Sequence, residues 1–510
     1  MKRILFFAAC LLFLGTSAVS CERSGETEVS EKSLSGYVPA PGEENHAELI
    51  ESVYRDAEGG TLVFPDGEYV IDRDVILDCD VRLSGHTFFR VTENGSFTVN
   101  GEFYAGKRRI FSGDGRVRIN MNTGCGFTDW FSYDGIKDTA LVQKAFDSLN
   151  RLAVTDELSV SGIVISAPIT VVGSGSHRVG LNASGRCTRL FTIRSGGVSF
   201  ENFRFDMSQT GNGAVCFYAD TADCDIEGFT LKDCYIDGAH TAITDADGEF
   251  SVTGTLLDGV MFREARGTQI VMRDFEKNTR LIGVAVLRRH SDTVSCGMPG
   301  AVFENASDML FEHFDVNGDF TDEGTGGHGV IFRNCKNVTM RRSLMEYISG
   351  TGFIIENCSG FDFENVQAYT FAGYGFCIDG LTDSVFNVVK ATYNNAAGRS
   401  DPEYENYFIK NCRNLTMNSV ISNGARGAGM TLSGNLEVKV NGFLYCDRLP
   451  GGKGAALLDA GGNSGVGITG FIDCSALYGK SLVLTGDGVT VRSAMLSSGE
   501  WAADVVDGTH

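Results

Sequence analysis

Ile331–Gly380 reads I-F-R-N-C-K-N-V-T-M-R-R-S-L-M-E-Y-I-S-G-T-G-F-I-I-E-N-C-S-G-F-D-F-E-N-V-Q-A-Y-T-F-A-G-Y-G-F-C-I-D-G. Two near-copies of one unit lie end to end. Each starts with a short strand ending in Asn-Cys and then turns. A second strand follows (Val338–Arg341, then Phe361–Glu364), then a third (Leu344–Tyr347, then Gln367–Tyr369), then a Gly-rich loop. Repetition at a period of roughly 20–50 residues marks units that bury a core only by stacking. Three short strands and no helix per unit describe one coil of a parallel β-helix.

The unit extends in both directions. With the third strands aligned, one column reads Ile236, Phe262, Leu287, Val316, Met345, Ala368, Ala391, Ile421. Two residues earlier the column reads Cys234, Val260, Ala285, Phe314, Ser343, Val366, Val389, Ser419. Both are apolar or small, as inward columns must be. The positions between are mixed and polar, because strand side chains alternate faces. A slip of one residue exchanges the faces, so every assignment of facing rests on this register. A second ladder falls at the turns: Asn305, Asn334, Asn357, Asp379 and Asn411. Asn and Asp tolerate tight turns and bond nearby backbone. Cys335, Cys358 and Cys412 follow three of them and read as stacked buried thiols, with adjacent-coil disulfides the other reading.

Met1-Lys-Arg, the apolar run Ile4–Gly15 and Thr-Ser-Ala-Val-Ser-Cys at 16–21 read as an export signal. The run is too short for a membrane span. The small residues before Cys21 resemble the lipobox of bacterial lipoproteins, with Ala18 where Leu is usual. That resemblance implies a signal peptide over 1–20 and a lipidated Cys21 thiol; an ordinary signal peptide cleaved nearby is the alternative. The expectation is an exported, outer-membrane-anchored lipoprotein on the cell-surface or periplasmic side, touching the membrane through its lipid only. Residues 21–44 are Ser-, Glu- and Gly-rich and read as a flexible tether.

Residues 45–135 read as an N-terminal β-rich segment, 136–495 as the coils and 496–510 as a short tail that completes or caps the last one. Leu49, Ile50 and Val53 predict a helix over 46–57, and Leu141, Val142, Ala145, Phe146 and Leu149 predict another over 138–152. An open solenoid end exposes core and unpaired strand edges, so helices there serve as caps. Gly60-Thr-Leu-Val-Phe-Pro-Asp-Gly-Glu-Tyr69 and Trp130-Phe-Ser-Tyr-Asp-Gly-Ile-Lys-Asp-Thr139 resemble the opening segments of the pectate-lyase-like superfamily, with its tailspike-like and polygalacturonase-like members. Ser132-Tyr133 and Lys137-Asp138 depart from the Gly-Ala and Asp-Asp of that pattern. The resemblance covers residues 45–495. It implies an all-β, right-handed, single-stranded parallel β-helix with N-terminal capping helices. It implies little about activity, since fold does not fix function.

The chain has 510 residues, is 43% hydrophobic, and carries a formal charge of −22 with 64 Gly against 7 Pro. Its unbroken repeat makes one elongated solenoid of a length that could hold several domains. No basic run is present, which argues against nucleic acid, whose phosphates need clustered Lys and Arg. The charge also disfavours a strongly anionic polysaccharide unless cations or a local basic patch bridge the repulsion. The 15 Cys of an exported chain would often form disulfides, but several fall at equivalent coil positions, which points to the core. Nothing in the sequence sets the oligomeric state.

Three coils carry long insertions after the third strand: His290–Gly300, Gly318–Gly329 and Asn394–Tyr407. Insertions in repeats map to one face, often the binding face, so these are expected to wall a groove over the third strand. The outward column there reads Asp206, Asp237, Arg263, Arg288, Asn317, Glu346, Tyr369, Thr392, flanked by Asp315, Gln367 and Lys390. Glu346 and Asp315, one coil apart, are the candidate carboxylate pair of a glycosidase. Arg288, His290, Lys390, Tyr369 and Tyr393 form the alternative set: a base takes the C5 proton of a uronic acid while a cation stabilises the enolate.

The candidate catalytic residues are therefore Glu346, Asp315, Arg288, Lys390 and His328. The candidate substrate-binding residues are Asn317, Tyr369, Tyr393, His290 and Arg399. For Asp206 and Asp237, farther from the insertions, solvated or paired surface carboxylates are the better account. Gly327-His328-Gly329 resembles one polygalacturonase motif, but the accompanying Asn-Thr-Asp, Asp-Asp and Arg-Ile-Lys are missing. Asp319, Asp322 and Glu323 offer oxygens of the kind Ca²⁺ takes, at a spacing of no recognised calcium loop. No other metal or cofactor is indicated. The expectation is a carbohydrate-active protein that cleaves a polysaccharide in this groove as a glycoside hydrolase or polysaccharide lyase. The second reading is a non-catalytic β-helix that binds glycans or builds a surface assembly, which needs the groove but no acid–base pair.

Overall fold

The computed structural model describes residues 31–33, 46–55, 60–132, 138–175, 179–222, 224–246, 250–288, 298–318, 327–394, 404–446, 455–474, 482–484, 488–495 and 501–506. The export signal, Cys21 and most of the 21–44 stretch lie outside these residues.

The coils begin at Thr61. Thr61–Phe64, Gly67–Ile71 and Asp74–Leu77 make the first coil. Val81–Leu83, Thr87–Val91 and Ser96–Val99 make the second, and Phe103–Tyr104, Phe111–Ser112 and Arg116–Ile119 the third. Strands pair in parallel with their counterparts one coil on, giving three small sheets. Within the stretch read as a tether, Glu31–Ser33 adds an edge strand beside Thr61–Val63.

Two α-helices are present among the described residues, α1 (Ala47–Arg55) and α2 (Thr139–Ser148). Helix α2 starts on Asp138, whose Oδ1 accepts from Leu141 N at 2.9 Å, the usual service of an acidic N-cap. Gln143 shows why a helix belongs there. Its amide donates to Val164 O at 2.7 Å and accepts from Val164 N at 2.8 Å. Val164 lies in Ile163–Ile165, the edge strand of the next sheet. One side chain thus satisfies edge groups that would otherwise invite another chain.

Beyond α2 the fold is a right-handed parallel β-helix. Its first strands form a 13-stranded sheet, and its second and third strands run in a joined 25-stranded sheet. In the central coils the second and third strands fuse into single strands, Ser359–Phe371, Thr382–Asn394 and Arg413–Asn423. Where the second and third strands join, each bends through a left-handed residue, Asn365 (φ 54°), Val388 (φ 56°) or Ser419 (φ 53°), and further left-handed residues stand nearer the strand ends. At the far end Trp501–Val506 pairs antiparallel with Val489–Met495.

Stacking puts like residues on like. Phe303 and Phe332 stack with centroids 5.3 Å apart, Phe353 and Phe376 at 4.6 Å, Phe376 and Tyr407 at 5.2 Å, and Phe363 and Phe386 at 4.6 Å. Each ring taken from water contributes about 1.5–3 kcal/mol. Tyr407 is fully buried, and its hydroxyl donates to Val389 O (3.0 Å) or Ile421 O (2.8 Å).

The register agrees with the sequence columns at most coils and corrects them at two. Val316, Met345, Ala368 and Ala391 pair in succession. Phe262, however, pairs with Val286 and not Leu287, and Ala391 with Ser422 and not Ile421. Val284, Val286, Val420 and Ser422 point inward, in place of Ala285, Leu287, Ser419 and Ile421. The cause is local: Val284–Leu287 and Val420-Ile421 are apolar at consecutive positions, so hydrophobicity alone does not choose a face. The turn ladder needs one correction too. Asn305, Asn334, Asn357 and Asn411 all have φ between 51° and 54°, but the equivalent residue in the intervening coil is Gly380 (φ 73°). Asp379 acts through its side chain, accepting from Asn411 Nδ2 at 2.8 Å. Cys335, Cys358 and Cys412 are buried free thiols, and Cys335 N donates to Cys358 Sγ at 3.3 Å.

Candidate functional site

The outward face of the third strands is built by direct rung pairing. Leu287 pairs with Asn317, Asn317 with Glu346, Glu346 with Tyr369, and Tyr369 with Thr392. Leu287 therefore takes the place in the outward column that the spacing assigns to Arg288. The flanking column is Asp315, Leu344, Gln367, Lys390. Glu346 and Asp315 sit diagonally, one rung and two residues apart, which puts their Cα atoms ~8 Å from each other at the usual strand spacing and rise.

Both carboxyls are half-buried. Burial pushes Asp315 above the ordinary carboxylate range, while a hydrogen bond from Leu344 N to its Oδ1 (3.1 Å) pulls back toward the ionised form. Burial also raises Glu346, and the Asp315 charge raises it further. Asn317 Nδ2 donates to Glu346 Oε2 at 3.5 Å, a long contact that orients the carboxyl. Both carboxyls are thus held toward the acid form by burial; the Leu344 N donor offsets part of this for Asp315, and the Asp315 charge adds to it for Glu346.

Tyr369 follows Glu346 on the next rung, with tyrosines to either side. The Tyr347–Tyr369 centroids are 6.4 Å apart and the Tyr369–Tyr393 centroids 5.6 Å, both edge-to-face. Tyr347 and Tyr393 are each 42% exposed. The sequence columns missed Tyr347 because it stands between strand positions, at a left-handed bend (φ 55°) shared with Thr370 (φ 53°) and Tyr393 (φ 58°). Only the recurrence of a bulky residue just after the outward column could have flagged it.

Arg288 and His328 meet each other at a corner. Arg288 Nη2 donates to His328 O at 3.0 Å, and His328 Nδ1 accepts from Thr351 N at 3.1 Å. Burial lowers the His328 pKa, and the Arg288 charge lowers it further. Gly329 belongs to a column with Gly300 and Gly352 that leads into the first strands, where a Cβ on Gly329 would come within 2.3 Å of Gly352 O. The Gly-His-Gly triplet is thereby accounted for by coil geometry. Lys390 stands two rungs from Glu346 and two residues back, ~12 Å by the same spacing. Asp237 is 6% exposed and taken by Arg204 Nε and Arg263 Nε, each at 2.6 Å. His290, Arg399, Asp319, Asp322 and Glu323 fall outside the described residues, as do most of the three insertions. Among the described residues no group of three or more His, Cys, Asp or Glu is placed to hold a metal, and no helix is long and apolar enough to cross a membrane. A separate polar cavity of about 490 Å³ lies on the N-terminal coils against α2, lined by Asp74, Glu93, Asp114, Arg116, Lys144 and Asp147 among others.

No protein-family profile and no curated protein matches the sequence. Several solved structures show a likeness. Tailspike protein 2 of bacteriophage CBA120 (enzymatically active domain) aligns at 14% identity and TM-score 0.29, covering 73% of this chain and 47% of that one. The chain thus spans about half the length of that tailspike domain. The A-module of Azotobacter vinelandii mannuronan C-5 epimerase AlgE6 aligns at 11% identity and TM-score 0.34, covering 89% and 90%. The catalytic unit of a GH87 alpha-1,3-glucanase from Streptomyces thermodiastaticus aligns at 11% identity and TM-score 0.21, covering 86% and 70%. At these scores the superpositions carry no site residue across, and the coil geometry above stands on its own.

Proposed function

We propose that the chain is a carbohydrate-active β-helix protein that hydrolyses a glycosidic bond on the outward face of the third strands, with Glu346 as general acid and Asp315 as base or nucleophile. The observation that carries this is the pair itself. Two half-buried carboxyls stand on adjacent coils, both raised by burial; Asp315 also accepts from Leu344 N, and Glu346 is raised further by its neighbour's charge. Glycoside hydrolysis asks for two neighbouring carboxyls, a proton donor for the leaving oxygen and a carboxylate facing the sugar ring, and a raised Glu346 suits the donor. Asn317 fixes the acid's orientation from the preceding rung. The lyase reading has less support, since its cations are dispersed. Arg288 is bonded to the His328 carbonyl, and Lys390 lies two rungs away from Glu346.

The test is depolymerisation of a polysaccharide panel, following both reducing ends and the ultraviolet absorbance of an unsaturated uronate. Reducing ends without absorbance, lost in Glu346→Gln and in Asp315→Asn, are expected. Absorbance lost in Lys390→Ala and retained in Glu346→Gln would replace this reading with the lyase. The half-exposed tyrosines favour a second reading, a glycan-binding protein without catalysis, for which binding would persist with neither product formed.

A further inference from the structure

We infer that Tyr347, Tyr369 and Tyr393 form a stacking platform for an uncharged glycan whose chain runs along the solenoid axis, from Glu346 toward the C-terminal coils. This rests on the reading of Glu346 and Asp315 as the place of bond cleavage, but its own basis is separate. Three tyrosines on three successive coils form an edge-to-face aromatic strip, with centroid steps of 6.4 and 5.6 Å and each ring turned nearly perpendicular to the next, so a sugar would meet ring faces and edges in alternation. Sugar rings offer C–H faces that pack on aromatic faces, and a phenol hydroxyl can bond sugar hydroxyls.

The backbone sharpens the point. Tyr347 and Tyr393 occupy left-handed positions, where a bulky residue is a genuine outlier. The same column is Gly424 (φ 65°) one coil beyond Tyr393, where a Cβ would come within 3.3 Å of Tyr393 Cα. Glycine is the cheap residue for this bend, yet two coils carry tyrosine. Strain of this kind persists where a side chain is wanted in a set direction. The bend splays both rings outward, leaving them 42% exposed on either side of Tyr369.

The surroundings select the ligand class. Asn317, Gln367 and Thr392 supply neutral donors and acceptors around the rings, Asp315 and Glu346 end the strip in negative charge, and Lys390 flanks it as a cation. A polyuronate would meet two carboxylates and a chain of formal charge −22. A neutral glycan meets no such cost.

Binding is measured by calorimetry on Glu346→Gln protein, which leaves the glycan intact. The probes are neutral oligosaccharides of increasing length and matched oligouronates. Tyr347→Ala, Tyr393→Ala and the double variant are compared with Tyr104→Ala, a 47% exposed tyrosine on the N-terminal coils. Each platform substitution should weaken the longer neutral oligosaccharides about tenfold, with the control unchanged. Binding by the double variant within about twofold of the parent, preference for oligouronates, or no binding across the panel overturns the platform. The two claims fail separately. Cleavage that ignores both tyrosines sinks the platform alone, and tyrosine-dependent binding without cleavage sinks the hydrolase alone.

Discussion

Replacing the platform tyrosines by glycine and by alanine should give opposite stability orders at neighbouring sites. Both substitutions remove the ring, so its packing loss is common to the two and drops out of their comparison. What remains is backbone. Glycine costs roughly 0.5–1 kcal/mol relative to alanine through chain entropy in the unfolded state. An L-residue in the left-handed region costs a further ~1–2 kcal/mol that glycine avoids. At Tyr347 (φ 55°) and Tyr393 (φ 58°) the second effect wins, and glycine should be the more stable by about 1 kcal/mol. Tyr369 has no positive φ and sits in the fused strand Ser359–Phe371, so there alanine should win by about 0.5–1 kcal/mol. The difference between the two comparisons isolates the left-handed penalty. Guanidinium unfolding followed by far-ultraviolet circular dichroism gives the six midpoints. Alanine matching or exceeding glycine at 347 and 393, as at 369, would refute the claim that these tyrosines are held at an energetic cost.

Asp245 is buried and its pKa is pushed up to about 7 by desolvation, against the backbone donors Arg273 N and Asp274 N. The folded state therefore holds a proton that the unfolded chain releases near pH 4, so stability should fall as pH rises from about 4 to 7, by at most about 4 kcal/mol, and Asp245→Asn should flatten the curve. Asp315→Asn should lower the pH at which Glu346 titrates, as read by carbon NMR of the carboxyl, because one of its two raising causes is removed; an unchanged titration would separate the two groups. Phe332→Ala, emptying a fully buried stack with Phe303, should cost about 3–5 kcal/mol in denaturation, and a cost under about 1 would contradict the stacked core. Cys335 and Cys358 should stay unlabelled by a thiol reagent in the native protein, while exposed Cys474 reacts at once.

The coil was legible because stacking repeats one demand many times. Asn305, Asn334, Asn357 and Asn411 answer the same left-handed bend, and Val316, Met345, Ala368 and Ala391 the same inward slot. Legibility failed where the demand admits several answers. Gly380 serves the bend as well as Asn does, so the Asn/Asp pattern points to Asp379 beside it. Val284–Leu287 are apolar throughout, so the pattern does not distinguish Arg288 from Leu287, which fills the column. The candidate site came through in part. Glu346, Asp315, Asn317 and Tyr369 share one face because period-2 alternation dictates it. Tyr347 did not come through, since a left-handed bend inside a strand breaks that alternation. The Asp315 bond to Leu344 N crosses between coils, a contact that no local pattern encodes.

The most direct test of the central claim is a crystal structure of Glu346→Gln with the longest neutral oligosaccharide that the unaltered protein cleaves. The account expects sugar rings over Tyr347, Tyr369 and Tyr393, with the next linkage lying between Asp315 and residue 346. Ordered sugar on another face, or in the cavity beside Lys144 and Asp147, with the third-strand face empty, would contradict it.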